Sequence, residues 1–259
     1  MVNWDGDQYR DVDPLRKMIA ELSLGEVVLA GNERVLDVGC GDGVLTLQLA
    51  EQLRSGSFVG VDISENSIED ATARASGGEF NGRFQLANAL DLPFEHDFDV
   101  AVAFNVLEWI EDKGTALAQI ANSLDPGGRA YVQMAISSER PNLEAITVDV
   151  ARRWRYRETF YDFATPYQQI KADSFFDLAA GAGLTVSNLA VKDFEWQFDS
   201  DQAFRKWFLR SASMWIELLK ESMVDDFVDE VLARYRLVTG ANGLLRISQL
   251  GASLTLADR

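Results

Sequence analysis

Three glycines at alternate positions, Gly39, Gly41 and Gly43, follow an apolar run at residues 34–38 and lead directly into residues 44–50. The first run is short enough for a buried strand and the apolar spacing of the second suits a helix, so the stretch predicts strand, tight turn and helix. Glycines let the backbone turn with positive φ and approach a ligand closely, and the start of the helix leaves N–H groups without partners. The turn is therefore expected to bind a polar ligand.

The spacing of these glycines discriminates between ligands. The dinucleotide fingerprint G-x-G-x-x-G would need a glycine at position 44, where this chain has Val44. The acid before the first glycine, Asp37, would repel a diphosphate and attract a cationic amino group. The pattern D-x-G-x-G-x-G resembles motif I of class I S-adenosylmethionine (SAM) methyltransferases, in which the loop wraps the methionine part of SAM. The resemblance implies that the following residues bind the cofactor: Asp37, Gly39, Cys40, Gly41 and Gly43.

Three further segments resemble the same family in the expected order, so the resemblance covers residues 33–135. Residues 58–62 end in an acid that can accept hydrogen bonds from both ribose hydroxyls. Residues 84–94 resemble the turn whose acid meets the adenine amino group, and Asn88 can accept the same bond through its amide oxygen. Residues 98–109 resemble the fourth strand and its N-x-L-x-W segment. The implied cofactor contacts are Asp62, Ile63, Asn88, Ala89, Asn105 and Val106. The alternative is a doubly wound domain that binds another nucleotide.

Strand and helix patterns alternate from residue 34 to residue 134. This rhythm predicts an α/β fold in which a mostly parallel sheet is covered by helices on both faces. The family implies a Rossmann-like, doubly wound, seven-stranded sheet with an inserted helical cap. Ser64 and Asp112 suit helix caps, and residues 125–128 predict a turn before the fifth strand. The expected domains are a helical lid at 1–32, a SAM-binding core at 33–138, 174–191 and 244–259, and substrate cap insertions at 139–173 and 192–243.

Composition excludes several kinds of partner. The 259 residues carry a net charge of −17 with a pI near 4.4, which argues against nucleic acid and anionic membranes as partners. No apolar run approaches the roughly 18 residues that span a bilayer. One cysteine rules out an internal disulfide and favours a cytoplasmic setting, and with one histidine a metal cluster is not expected. A small-molecule substrate is therefore expected, while nothing in the sequence indicates an oligomeric state.

Other segments resemble the trans-aconitate methyltransferases more weakly. Trp4 and Tyr9 match a segment that folds over SAM in those enzymes, so Tyr9 is implied as a cofactor contact; Trp4 is a lid residue or packs on the core. Residues 139–173 combine aromatic residues with four arginines between positions 152 and 157. The arginines either bind a carboxylate or phosphate of the substrate or neutralise nearby acids. The substrate contacts expected on this basis are Trp109, Met134, Trp154 and Tyr161.

Glu108 follows the fourth strand, where methyltransferases often place a polar side chain near the transferring methyl group. A hydroxyl acceptor needs a general base, whereas a carboxylate acceptor is already ionised and needs none. Glu108 is therefore the predicted catalytic residue, with a structural role in the following helix as the alternative. The predicted function is SAM-dependent O-methylation of a carboxylic acid or hydroxyl group on a small molecule. The alternatives are N- or C-methylation in secondary metabolism, a SAM-binding cyclase, and a SAM-binding protein that does not methylate.

Overall fold

The computed structural model describes residues 14–139, 142–165 and 167–257. Its helices are α1 (Pro14–Leu24), α2 (Val44–Ala50), α3 (Glu65–Ala75), α4 (Lys113–Ser123), α5 (Leu143–Ala151), α6 (Ser174–Gly181), α7 (Asp201–Ser211), α8 (Ser213–Ile216) and α9 (Glu221–Thr239), with a 3-10 turn at Leu107–Trp109. Its strands are β1 (Arg34–Val38), β2 (Ser57–Asp62), β3 (Gly82–Leu86), β4 (Phe98–Phe104), β5 (Leu124–Ala135), β6 (Leu184–Gln197) and β7 (Leu244–Leu256). No described helix is both long and apolar enough to cross a membrane.

The seven strands form one sheet in the order β3-β2-β1-β4-β5-β7-β6. Strands β1 to β5 pair in parallel, and β7 runs antiparallel between β5 and β6. The predicted mostly parallel, seven-stranded, Rossmann-like sheet is therefore confirmed. β1 lies between β2 and β4, so the chain adds strands on one side of β1 first and then on the other side. A crevice opens at the carboxyl ends of the strands where this direction reverses.

The sheet is covered on both faces, as a parallel sheet requires. Leu36 of β1 packs in one core cluster with α4 and α6, whereas its neighbour Val35 packs in another with α2. A third cluster joins α5, α7, α8 and α9, and Leu15 of α1 packs with them. The two predicted helix caps are confirmed, since Ser64 accepts a hydrogen bond from the Ser67 N–H and Asp112 accepts one from the Thr115 N–H.

Two features of the sheet differ from the prediction. β6 continues to Gln197 and pairs with β7 along its length, so residues 192–197, predicted to begin the second cap insertion, lie in the sheet. This edge strand is largely exposed, and its sequence therefore lacks the apolar run that marks a buried strand. β5 begins at Leu124, and the predicted turn at residues 125–128 lies within it as an irregularity, with Gly127 at a φ of 84°.

Candidate functional site

The three glycines of the loop between β1 and α2 all have left-handed backbone, with φ values of 76°, 53° and 76°. A Cβ on Gly39 would lie 2.4 Å from Cγ2 of Val106, and one on Gly43 would lie 2.8 Å from the ring of Phe84. A Cβ on Gly41 would meet no atom within 4 Å. Gly39 and Gly43 are thus required by packing, while Gly41 opens onto the crevice at the end of the strands.

Hydrogen bonds tie this loop to the end of β2. The N–H groups of Gly39 and Cys40 both donate to the carbonyl oxygen of Val61, at 2.8 and 2.9 Å, and the Gly41 N–H donates to Oδ2 of Asp62 at 3.0 Å. The Cys40 side chain is buried, which raises the pKa of its thiol. Cys40 therefore shapes the loop through its backbone and does not offer a reactive thiolate.

Asp62 is half-buried at the carboxyl end of β2. Its Oδ1 accepts a hydrogen bond from the Ser64 N–H at 2.9 Å, while Oδ2 holds the Gly41 N–H. Burial raises the pKa of this carboxyl, and the bonds from Ser64 and Gly41 oppose that shift. Each carboxylate oxygen keeps a further acceptor position, so the pair can receive the two hydroxyls of a ribose.

Asp62→Ala is expected to weaken SAM binding at least fivefold, because about 1 kcal/mol or more is lost with hydrogen bonds to a charged group. Calorimetric titration with SAM measures the change. Asp42→Ala is the matched control, since Asp42 lies in the same loop but pairs with Arg74 at 3.1 Å. Equal affinities for the two variants would contradict the assignment of Asp62 to the ribose.

Asp37 is a buried acid at the base of the crevice. Its Oδ2 accepts a hydrogen bond from the Thr46 hydroxyl at 2.6 Å. Burial raises the pKa of Asp37 to about 7, and the charge of Asp62 adds to the shift while the bond from Thr46 opposes it. A bound ammonium group would supply the positive charge that this carboxylate lacks. No motif in the sequence predicted the bond from Thr46, because its hydroxyl comes close to Asp37 only when α2 folds back beside β1.

The remaining predicted cofactor contacts lie along the same edge of the sheet. Asn88 is exposed, and its Oδ1 accepts a hydrogen bond from the Leu90 N–H at 3.0 Å. Asn105 has a φ of 54° and its Oδ1 accepts a bond from Nε2 of Gln249 at 3.2 Å. Ile63 is exposed, whereas Ala89 and Val106 are partly buried against the core. Tyr9 and Trp4 lie outside the described residues.

Glu108 is almost fully buried in the 3-10 turn that follows β4. Its Oε1 accepts a hydrogen bond from the Ala135 N–H at the end of β5, at 3.1 Å. Its Oε2 is also buried and has no hydrogen-bond partner among the described residues. Burial raises the pKa of Glu108 to about 7, although the Ala135 bond and the charge of Lys113 oppose the shift. Glu108 thus combines a free oxygen with the raised pKa that a general base needs.

Tyr167 lies beside this turn. Its ring contacts that of Trp109, with centroids 4.5 Å apart, and its hydroxyl accepts a hydrogen bond from Nε2 of Gln169 at 3.3 Å. Burial raises the pKa of Tyr167, and the charges of Glu108 and Glu144 raise it further. The backbone next to Tyr167 contacts the same turn, since the Gln168 N–H donates to the carbonyl oxygen of Glu108 at 2.6 Å. No motif pointed to a role for Tyr167 or Glu144 in the site, because both lie between residues 139 and 173, where only composition was informative.

The four predicted substrate contacts are not brought together. Trp109 is partly buried against Tyr167, and Met134 is fully buried in the core of the sheet. Trp154 and Tyr161 are 81% and 84% exposed. Of these four, only Trp109 lies at the turn that carries Glu108.

The arginine-rich segment after α5 faces acids of the cap helix α9. Arg153 pairs with Glu230 at 3.1 Å, and Arg155 pairs with Asp226. These contacts agree with the interpretation that the arginines neutralise nearby acids. Within the described ranges, no group of three acids, histidines or cysteines could hold a metal ion.

Comparison with known proteins places these features in a wider context. Residues 29–164 match the family described as a methyltransferase domain. A trans-aconitate 2-methyltransferase of Delftia acidovorans is 30% identical over 247 residues, which cover 89% of this chain and 88% of that enzyme. The O-methyltransferase resE of Aspergillus sclerotiorum is 36% identical over 121 residues, which cover 45% of this chain and 46%, about half, of the relative. The YcgJ protein of Bacillus subtilis has a similar fold, with a TM-score of 0.70 at 18% identity over 94% of this chain and 100% of that one.

Proposed function

The chain belongs to the methyltransferase-domain family and is a SAM-dependent enzyme, and on that premise we propose that it methylates a hydroxyl oxygen of a small molecule. The observation that carries this proposal is the buried Glu108, whose Oε2 has no hydrogen-bond partner among the described residues. A hydroxyl acceptor has a proton to lose, and Glu108, in the turn after β4, would receive it. The similarity to the O-methyltransferase resE supports oxygen as the methyl acceptor.

The residues around the crevice fit SAM. Gly41 leaves open space in the loop, Asp62 has acceptor positions for ribose hydroxyls, and Asp37 is a buried acid without an ion-paired cation among the described residues. Asp37 would therefore hold the ammonium group and Asp62 the ribose. SAM supplies, when bound, an electrophilic methyl group whose C–S bond breaks as the acceptor oxygen forms the new C–O bond, leaving S-adenosylhomocysteine.

Glu108 takes the acceptor proton on Oε2 and later releases it to solvent. Its pKa of about 7 brings it closer than an ordinary carboxylate to the pKa of a phenol, about 10, so the proton transfer is less unfavourable. The Ala135 N–H holds Oε1 and so fixes the direction of Oε2. The Glu108 side chain is almost fully buried, and the rings of Trp109 and Tyr167 contact each other at the same turn, so little water reaches the carboxyl.

A second candidate function is methyl ester formation on a carboxylic acid. The 30% identity to a trans-aconitate 2-methyltransferase over 89% of the chain favours it. The acid at this turn argues against a carboxylate acceptor, because Glu108 would repel a bound carboxylate. Two of the four arginines that could have bound a carboxylate, Arg153 and Arg155, pair instead with acids of α9. We therefore place the hydroxyl acceptor first.

The experiment that tests the proposal is turnover with two sets of small acceptors. One set contains phenols and alcohols, and the other contains carboxylic acids, with trans-aconitate among them. Mass spectrometry of the products and measurement of S-adenosylhomocysteine should show methyl ethers from the first set. Methyl esters without any methyl ether would establish the second candidate and contradict the first.

A further inference from the structure

A second, partly buried acid contacts the segment that packs beside the turn of Glu108. Glu144 is in the first turn of α5, two residues after the helix cap Asn142. Its Oε1 accepts a hydrogen bond from the Thr165 hydroxyl at 3.2 Å. This donor is neutral, so the hydrogen bond does not compensate the charge of Glu144.

Residues 165–169 connect the two acids. The Thr165 hydroxyl contacts Glu144 and also accepts a hydrogen bond from the Tyr167 N–H at 3.2 Å. At the other end, the Gln168 N–H donates to the carbonyl oxygen of Glu108 at 2.6 Å. The Tyr167 ring also contacts that of Trp109, the neighbour of Glu108. Residues 165–168 therefore contact both the carboxylate of Glu144 and the turn that carries Glu108, and the charges of the two acids raise the pKa of Tyr167.

Cations compensate the two acids only in part. Among the described residues, neither Glu108 nor Glu144 forms an ion pair with lysine or arginine, and burial raises the pKa of each to about 7. Lys113, whose charge opposes the shift at Glu108, donates from Nζ to the carbonyl oxygen of Ile110 at 2.7 Å. A buried carboxylate is costly unless a cation pairs with it. The unpartnered Oε2 of Glu108 shows that this region has hydrogen-bonding capacity left for a ligand.

We propose that the methyl acceptor carries a positively charged nitrogen as well as a hydroxyl, and that Glu144 binds the nitrogen while Glu108 faces the hydroxyl. The acceptor is then a hydroxylated amine. This inference rests on the proposed function, because it assumes that the acceptor occupies the region beside Glu108. The positive charge would offset the burial of Glu144 and would distinguish the acceptor from a carboxylic acid of similar size.

Three small phenols that differ only in the charge of the tail test the proposal: tyramine is cationic, 4-ethylphenol is neutral and 4-hydroxyphenylacetate is anionic. Each is titrated calorimetrically into the full chain saturated with S-adenosylhomocysteine. Tyramine should bind most tightly and 4-hydroxyphenylacetate least. In Glu144→Gln the affinity for tyramine should fall about tenfold or more, the scale of a hydrogen bond to a charged group, while that for 4-ethylphenol should change little.

Glu217→Gln is the matched control, because Glu217 is an exposed acid directly after α8 in the same cap. This variant should keep the preference for tyramine. Thermal unfolding of each variant establishes that it is folded, and the preference of the unaltered protein gives a result that depends on no variant. A protein that binds no tyramine, or binds 4-hydroxyphenylacetate equally well, would overturn the proposal. The proposed function has a different test, because it would be contradicted if phenols and alcohols gave no methyl ether.

Discussion

Glu108→Gln is expected to lower turnover at least about 100-fold while SAM affinity changes less than about twofold. Loss of a general base typically removes a factor of this size, and the glutamine amide cannot take the acceptor proton. The amide retains the shape of the side chain and can still accept the Ala135 N–H through its oxygen. SAM affinity should persist because Glu108 makes none of the contacts assigned to the cofactor. Formation of S-adenosylhomocysteine and calorimetric titration with SAM measure the two quantities.

Glu111→Gln is the control for this prediction, since Glu111 is an exposed acid three residues further along the chain. It should leave turnover unchanged. If Glu108→Gln retained full turnover, Glu108 would have the structural role that its bond to Ala135 also allows. The hydroxyl proposal would then lose the observation that carries it.

The pH dependence gives the same residue a second test. The rate should rise through about pH 7 as Glu108 loses its proton, and Lys113 and Tyr167 are the titratable neighbours that act on it. Stability should change in the opposite direction. Folding raises the pKa of Glu108 from 4.5 to about 7. The protonated carboxyl therefore makes its full contribution to the free energy of unfolding below about pH 4.5, and this contribution is lost as the pH rises through about 7. As the pH rises from about 4.5 to about 7, the free energy of unfolding of Glu108→Gln should therefore increase relative to that of the unaltered protein, by on the order of 3 kcal/mol.

Gly39→Ala is expected to abolish SAM binding and to lower the free energy of unfolding by about 3 kcal/mol, which combines left-handed strain with overpacking. The new Cβ would lie 2.4 Å from Val106, and Gly39 has a φ of 76°. Val106 cannot move away freely because it packs against the core cluster that contains Leu107. Denaturant unfolding and SAM titration measure the two losses.

Gly41→Ala separates packing from ligand contact. Gly41 is also left-handed, but its Cβ would meet no protein atom within 4 Å. This variant should lose only about 1 kcal/mol of stability, from the backbone term, yet it should bind SAM more weakly because the open space faces the crevice. A Gly39→Ala protein as stable as Gly41→Ala would mean that the contact with Val106 does not constrain the loop.

The glycine loop shows which features can be predicted from neighbouring residues alone. The order strand, turn and helix around Gly41 is encoded within a few neighbouring residues, and the structure reproduces it. The two helix caps, Ser64 and Asp112, were likewise readable because a cap bonds to an N–H three residues away. The end of β6 was not readable, because an exposed edge strand is stabilised by its pairing with β7 and not by an apolar run of its own.

By itself, the sequence determined the family, the sheet and the loop expected to hold the cofactor, because each depends on residues close together in the chain. Only the tertiary structure decided the surroundings of Glu108. The free oxygen, the raised pKa and the proximity to Tyr167 arise from groups on β5, α5 and residues 165–169, all distant in sequence. Burial and charge compensation are properties of such assembled surroundings. For the same reason only the structure revealed that Arg153 and Arg155, two of the four arginines that suggested a carboxylate pocket, pair with acids of α9.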